Sequence, residues 1–539
     1  MSYGKRIYIL YFCLLLCLWL LYIRLYIVTF RQNKALTVLD GQYSSKLEVT
    51  SRSGFIYDRY FSVMSHDMYT GILVVNPSEI DDMEFVSKKL SDVTTYSTQD
   101  DIQNKIRKGI PFTVLSENTD KAKELSKNTP GVYYNTHYSE NTSTAPHLLG
   151  YCRNGVGVTG MRYHYDDMLQ KRMSAKSYVT FSHDGINRSM STLTIHNTDL
   201  CNDDGIITTI DKSLQMFCNS LEDKIKSGCV IVADSSNGEI LALSSFPSYD
   251  ADNLSQYLDS DKGELLNRAA CSYTPGSVFK IIVSASALEE NPQYINFTHT
   301  CKGSVQVDNR QFNCHRKEGH GTIDMKQAFA MSCNCYYVSL AKNIGMEKIL
   351  RTAKKIGLDK PSCADFLTET SHHFTDESNH SPKNLANLSI GQGDLCLSPL
   401  DMINVMITSV TGYSVPTRII LGQVRNNRSI YREQSVKSKV FSEKTVDLLC
   451  NMMEECVNTG TGMGGKIEDV RMGGKTGTAQ TGRFDVNGVE YVHKWFCGFY
   501  EGIEKRYVFC ILSDNTPENK LSPAVVSSSI VSFLKENLY

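Results

Sequence analysis

Charge of one sign is what this 539-residue chain most clearly lacks: 56 Lys and Arg stand against 58 Asp and Glu, a formal net charge of −2. Without a basic excess there is no general electrostatic footprint for nucleic acid. Proline is sparse, at 13 residues, and together with 36 glycines it gives neither a disordered nor a fibrous composition. The chain has no internal repeat, low-complexity tract or Pro-rich linker. Long apolar runs are also missing after residue 30. What is present is a hydrophobic content of 41%, enough for a sizeable core, in a length that suits two to four domains of roughly 150 residues each. Cysteine is plentiful. Its count of 17 is odd and scattered, unlike a compact disulfide framework.

The N-terminus differs from the rest. Lys5 and Arg6 precede an uninterrupted apolar run from Ile7 to Ile23, and after Arg24 the apolar character resumes to Phe30. At about 1.5 Å per residue such a run reaches across a bilayer core, and Arg24 can snorkel to the interface. A cleaved signal peptide needs a small-residue cleavage site, which Ile23-Arg24-Leu25-Tyr26-Ile27-Val28 does not offer. The reading is therefore an uncleaved anchor over residues 7–29, with residues 1–6 cytoplasmic and everything after it extracytoplasmic. This is a single-pass protein of the cell membrane.

From residue 30 to 200 the chain is polar and mixed. Ile72-Leu73-Val74-Val75 predicts a strand ended by Asn76-Pro77, and 80–90 and 101–108 predict short helices. From 201 to 539 strands and helices are clearer. Ile206 to Ile210 is β-branched, and Asp211 opens an amphipathic helix. Cys229 to Ala233 and Glu239 to Leu243 flank Ser235-Ser236-Asn237-Gly238 as a hairpin. The fold class is α/β with at least some antiparallel sheet.

Three short motifs carry the chemistry. Ser277-Val278-Phe279-Lys280 follows Pro275-Gly276, a turn, so Ser277 is placed at a helix start with Lys280 one turn on, along the same face. A Ser hydroxyl becomes a nucleophile when a neighbour takes its proton, and a Lys shifted toward neutrality can do so. Ser339-Leu340-Ala341-Lys342 has the same spacing and reads as an ordinary helix surface. In Ser332-Cys333-Asn334 a hydroxyl and a carboxamide can relay a proton and hold a substrate amide; alone, a polar turn explains the tripeptide as well. In Lys475-Thr476-Gly477-Thr478 the cation and hydroxyls can hold a carboxylate, and Gly477 can let a substrate backbone approach. A Gly-rich turn is the plainer explanation of that segment taken by itself.

Ser-x-x-Lys, then Ser-x-Asn, then Lys-Thr-Gly, in this order, form a specific set. Over nearly its full length the chain resembles the class B penicillin-binding proteins, monofunctional peptidoglycan D,D-transpeptidases. Flanking residues agree: Asn237-Gly238-Glu239-Ile240-Leu241-Ala242, Ser245-Phe246-Pro247-Ser248-Tyr249-Asp250, Ile390-Gly391-Gln392-Gly393, Thr459-Gly460-Thr461-Gly462 and Trp495-Phe496-Cys497-Gly498. Gly54-Phe55-Ile56-Tyr57-Asp58-Arg59 and His147-Leu148-Leu149-Gly150-Tyr151 resemble the family's pedestal. Departures fall in that pedestal: Ser53 where Arg is usual, Tyr60-Phe61 where Asn-Gly is usual, and Arg162 where Glu is common.

The resemblance implies an elongated mixed pedestal domain over 30–200 and a transpeptidase domain over 201–539, of the serine β-lactamase-like type with helices flanking an antiparallel-containing sheet. It implies that Ser277 attacks the bond between the terminal D-alanines of a stem peptide. Lys280 would be the leading base, Ser332 a proton relay and Asn334 the holder of the substrate amide. Lys475, Thr476, Gly477 and Thr478 would face the terminal carboxylate, and the N–H groups of Ser277 and Thr478 would form the oxyanion hole. An acceptor amine would resolve the acyl-enzyme. β-Lactams would bind covalently, a membrane glycosyltransferase would be the partner, and catalysis would need no cofactor. The competing readings are a catalytically marginal scaffold, a β-lactam sensor, and a D,D-carboxypeptidase or β-lactamase.

Cys301, Cys314, His320 and Cys333 bracket the stretch between the first two motifs. Three thiols and an imidazole would make a closed tetrahedral zinc site, and some elongation-type relatives have a metal at similar spacing. A Cys301–Cys314 disulfide across a hairpin, or buried thiols, is the rival reading.

Overall fold

The computed structural model describes residues 4, 8, 11–27, 44–64, 66–116, 118–141, 144–153, 156–173, 175–183, 189–198, 203–363, 365, 381–434, 436–517 and 522–537. Residues 11–27 are helical, and their large apolar side chains, all but Ile23, stand exposed. Among the described residues no helix is long and apolar enough to cross a membrane. Lys5, Arg6 and residues 28–30 lie outside the described residues.

The chain forms two compact units, the first drawn from Met1–Ser53, Asp67–Ser139 and Ser174–Asn202. Its central sheet has the order Phe112–Ser116, His66–Val75, Val132–Asn141. Along the middle strand the side chains alternate, as a period of two requires. Leu73 and Val75 pack with Val86, Leu90, Ile102 and Ile106 of two helices. Ile72 and Val74 pack with Val49, Val179 and Phe181 of a second, three-stranded sheet. Those helices are Met83–Ser91 and Gln99–Arg107, the latter closed by a capping box between Thr98 and Asp101.

The second unit comprises Gly54–His66, Glu140–Met173 and Asp203–Tyr539. Its main sheet is built from β1 (Gly228–Asp234), β2 (Ile240–Phe246), β3 (Arg471–Phe484), β4 (Glu490–Glu501) and β5 (Arg506–Pro517). The order is β2-β1-β5-β4-β3, antiparallel throughout, with β3 on the edge. β1 reads as a continuous apolar run because both its faces are covered. Cys229, Ile231 and Ala233 join the large helical core, whereas Val230 and Val232 join a second core with Ile530 and Leu534.

The helices that matter for the site are α1 (Lys280–Glu290), α2 (Met325–Ala330), α3 (Asn334–Ile344), α4 (Pro399–Thr411), α5 (Glu443–Asn458) and α6 (Pro523–Asn537). α1 is buried on all sides from Lys280 to Leu288, as its lack of a polar face dictates. It packs against α3 and α5, α4 packs on β5 and β1, and α6 packs on β4 and β5.

Two segments from before residue 200 sit in this second unit. Phe55–Tyr57 adds a parallel strand to Gly205–Thr208, and Gly54 fits because a Cβ there would come within 2.6 Å of Met173 Cβ. Arg59 pairs with Glu239 at 3.3 Å, and Glu239 also holds Arg418 at 2.5 Å. The α/β class with helices on an antiparallel-containing sheet is the architecture observed.

Candidate active site

Gly276–Phe279 is a single 3-10 turn running into α1, so Ser277 stands one turn ahead of the helix, half-buried. Three glycines set this turn in place. Gly276 has φ +59°, and a Cβ on it would meet the Thr478 carbonyl oxygen at 2.7 Å. Gly391 has φ +71°, a Cβ there would overlap the Gly276 carbonyl at 1.9 Å, and its own carbonyl accepts the Gly276 N–H at 2.9 Å. A Cβ on Gly477 would lie 2.8 Å from the Pro275 carbonyl and 3.0 Å from Val278 Cγ1. The strand glycine therefore makes room for the protein's own Ser277 turn, where the sequence suggested room for a substrate backbone. Trp495 adds a further tie by donating its indole N–H to the Thr274 carbonyl at 3.1 Å.

Lys280 is fully buried at the start of α1. Its Nζ donates to the Ser332 carbonyl at 2.8 Å, to Asn334 Oδ1 at 2.8 Å and to Ser332 Oγ at 3.2 Å, and it lies 5.3 Å from the Tyr337 ring centre. Burial, reinforced by the nearby Lys475 ammonium, lowers its pKa to about 7. The second motif is therefore in direct contact with the lysine of the first. Ser332 adopts φ +54°, a left-handed conformation uncommon outside glycine, between the end of α2 and the start of α3. Such outliers concentrate at functional sites.

The third motif lies in β3. Lys475 is fully buried; its Nζ donates to the Thr476 carbonyl at 3.0 Å and lies 5.7 Å from the Phe329 ring centre. Burial lowers its pKa. Thr476, Gly477 and Thr478 line the cleft, and the buried Lys475 ammonium lies near enough to Lys280 to disfavour its charge. Thr461, to which sequence reasoning gave no role, bonds Thr476 hydroxyl to hydroxyl at 2.5 Å. Its own N–H donates to the Ala330 carbonyl at 3.0 Å, and Gly460 beside it leaves no room for a Cβ against that carbonyl. The Thr-Gly-Thr-Gly run was the available signal. Ser277, Ser332, Asn334, Thr476, Gly477 and Thr478 line one cleft of about 750 Å³.

A thiol cluster abuts the Ser332 loop. Cys301 ends the strand His299–Cys301, Cys314 follows the hairpin strand Arg310–Asn313, His320 precedes Gly321–Ile323, and Cys333 caps α3. Their donor atoms all lie within 4.8 Å of one another. Around a tetrahedral ion with bonds of about 2.3 Å, ligand atoms sit about 3.8 Å apart. Cys314 Sγ is 3.8 Å from Cys333 Sγ and 3.6 Å from His320 Nδ1, so the donor set fits zinc. Thiol contacts from Cys333 and then Cys335 pull the Cys314 thiol below its ordinary pKa. No disulfide joins the described cysteines, Cys301 and Cys314 included.

The penicillin binding protein transpeptidase domain family matches residues 228–531. Stage V sporulation protein D of Bacillus subtilis is 28% identical over 484 residues, covering 85% of this chain and 73% of that protein. Peptidoglycan D,D-transpeptidase MrdA of Acinetobacter baumannii is 23% identical, covering 89% and 78%. Among solved structures, a penicillin-binding protein (PBP2) of Helicobacter pylori in complex with MreC is similar in fold, with a TM-score of 0.71 at 20% identity over 92% of this chain and 99% of that one. The matched span covers more than half of the chain and contains all three motifs with their buried lysines, and the protein belongs to the penicillin-binding transpeptidase family.

Proposed function

We propose that the protein is a serine D-Ala-D-Ala transpeptidase that cross-links peptidoglycan stem peptides through an acyl-enzyme on Ser277. The observation that carries this reading is the contact of the Lys280 amine with both Ser332 and Asn334 at the cleft that Ser277 lines.

The geometry supports a proton path. A neutral Lys280 has two N–H groups, which the Ser332 carbonyl and Asn334 Oδ1 occupy at 2.8 Å each. Its lone pair is then free to accept a proton from Ser277 as the hydroxyl attacks the D-Ala-D-Ala carbonyl. Through the longer contact, 3.2 Å to Ser332 Oγ, the protonated Lys280 can then donate its new proton to that hydroxyl, which gives its own to the leaving D-Ala amine. Asn334 Nδ2 donates one hydrogen to the Asn313 carbonyl at 3.1 Å and would hold the substrate amide with the other. Thr476 and Thr478, backed by the Lys475 ammonium, would bind the terminal carboxylate. The N–H groups of Ser277 and Thr478 would stabilise the oxyanion; the close approach of Gly276 to the Thr478 carbonyl supports their adjacency. An amine from a neighbouring stem then resolves the ester. β-Lactams acylate the same serine.

Cys301, Cys314, Cys333 and His320 would hold a structural zinc ion. Bound there, it would clamp the loop carrying Ser332 and Asn334, with no part in the acyl transfer itself. The exposed apolar helix at 11–27, continued in sequence from Ile7, supports a single membrane anchor with the catalytic unit extracytoplasmic. The first compact unit, drawn from the chain before residue 203, would serve as pedestal, and a membrane glycosyltransferase would supply the glycan strands. The H. pylori fold relative was solved with MreC, which supports a role within a multi-protein wall complex.

Supplying the full-length protein with uncross-linked pentapeptide strands tests this reading. It predicts D-Ala release together with cross-linked muropeptides, both absent in Ser277→Ala. D-Ala release without cross-links would make it a carboxypeptidase, and rapid penicillin hydrolysis a β-lactamase.

A further inference from the structure

Acyl transfer accounts for the serine, threonine and asparagine side chains of the cleft and leaves its charged ones without a task. The residues that line it include two fixed cations, Arg310 and Lys494, together with the imidazole of His315, and among the described residues no Asp or Glu. The whole chain is slightly acidic, at −2, so its composition does not produce such a lining.

The two cations belong to different walls. Arg310 lies on the hairpin of Ser304–Val307 and Arg310–Asn313, whose Val307 and Phe312 pack against Val338 of α3. The Asn313 carbonyl of this hairpin accepts a hydrogen from Asn334 Nδ2 at 3.1 Å, which ties it to the residue proposed to hold the substrate amide. The Arg310 guanidinium lies over the Phe312 ring, 5.2 Å from its centre, and pairs with no carboxylate among the described residues. Set on an aromatic face, it keeps its fork of donors available to an anion. Lys494 is only 9% exposed in β4, directly opposite Thr478, one strand in from the segment proposed for the terminal carboxylate.

We propose that Arg310 and Lys494 select stem peptides whose internal carboxylates are free over stems in which they are capped as carboxamides. This rests on the transpeptidase reading and names the substrate within it. A stem has one terminal carboxylate, which Thr476 and Thr478 would take, and further carboxylates along its length that are either free or amidated. With the reacting end held, the rest of the stem lies in the same cleft, between a guanidinium and an ammonium that no acid of the lining compensates. A free carboxylate there gains charge-assisted hydrogen bonds, whereas a carboxamide brings no charge and turns N–H donors toward donors.

Two preparations of uncross-linked pentapeptide strands test this on the full-length protein, one with the internal carboxylates free and one with them amidated. The ratio of their cross-linking efficiencies, kcat/KM, should favour the free form by at least about fivefold, which one partly exposed ion pair supplies. It should shrink as salt rises from about 0.05 to 0.5 M. It should fall toward one in Arg310→Gln and in Lys494→Gln, and persist in Arg310→Lys. Both efficiencies are read on the same protein, so loss of folded material cancels from the ratio. A ratio near one in the unmutated protein, a preference for amidated strands, a ratio indifferent to salt, or one unmoved in either charge-removing variant would overturn the proposal and leave the transpeptidase reading standing. A protein that cross-links neither preparation would overturn that reading, and this proposal with it.

Discussion

The two walls of the cleft hold equally buried lysines by different means. On the sheet wall, Lys475 belongs to an edge strand whose register with β4 is fixed by backbone pairing, from Arg471 opposite Glu501 to Gln480 opposite Val492. Glycine at 477 then lets the turn that carries Ser277 press against that strand. On the helical wall, Lys280 is held by side-chain and loop contacts: the Ser332 carbonyl, the Asn334 carboxamide, the Tyr337 ring and the thiol cluster behind them. A wall held by backbone pairing tolerates side-chain changes that keep its volume. A wall held by side chains does not.

The largest effect should come from breaking the helical wall at its centre. Lys280→Met removes the base and leaves Asn334 Oδ1 and the Ser332 carbonyl without their shared donor. The rate of acylation by a fluorescent penicillin should fall by about 10²–10⁴-fold, the usual worth of general base catalysis. An unchanged rate would move the base elsewhere. On the sheet wall, Gly477→Val puts a branched side chain where the Pro275 carbonyl and Val278 already stand, 2.8 and 3.0 Å from the Cβ. It should destabilise the protein by about 1–3 kcal/mol in thermal or denaturant unfolding and slow acylation with it. Full stability would mean that the turn can retreat from the strand.

The smallest effect sharpens the comparison without mutation. Lys280, at about 7, must be neutral to accept a proton, so acylation should rise with pH through about 7 and level off above it. Below that midpoint the rate should fall about tenfold per pH unit, the titration of a single base. A profile flat from pH 6 to 8 would exclude Lys280 as the titrating base.

How much of this was legible in the sequence follows the same division. Ser277, Lys280, Ser332, Asn334 and Lys475 could be read because each motif is contiguous, and the helix starts and strand that hold them are local features. β1 and β2 and their turn were legible for the same reason. The contacts between motifs were not. Gly391 fits under Gly276 from more than a hundred residues away, and Thr461 meets Thr476 across a loop. No period or spacing reports such pairs. The parallel pairing of Phe55–Tyr57 with Gly205–Thr208, which draws a piece of the early chain into the second unit, is hidden for that reason too. The set of three thiols and one imidazole, Cys301, Cys314, Cys333 and His320, was visible by composition and order.

The central claim is that Ser277 is the nucleophile served by both walls. Mass-spectrometric mapping of the full-length protein after reaction with penicillin tests it most directly. The account predicts one penicilloyl adduct, on the peptide carrying Ser277, lost entirely in Ser277→Ala. An adduct on another residue, or labelling that persists in the variant, would contradict it.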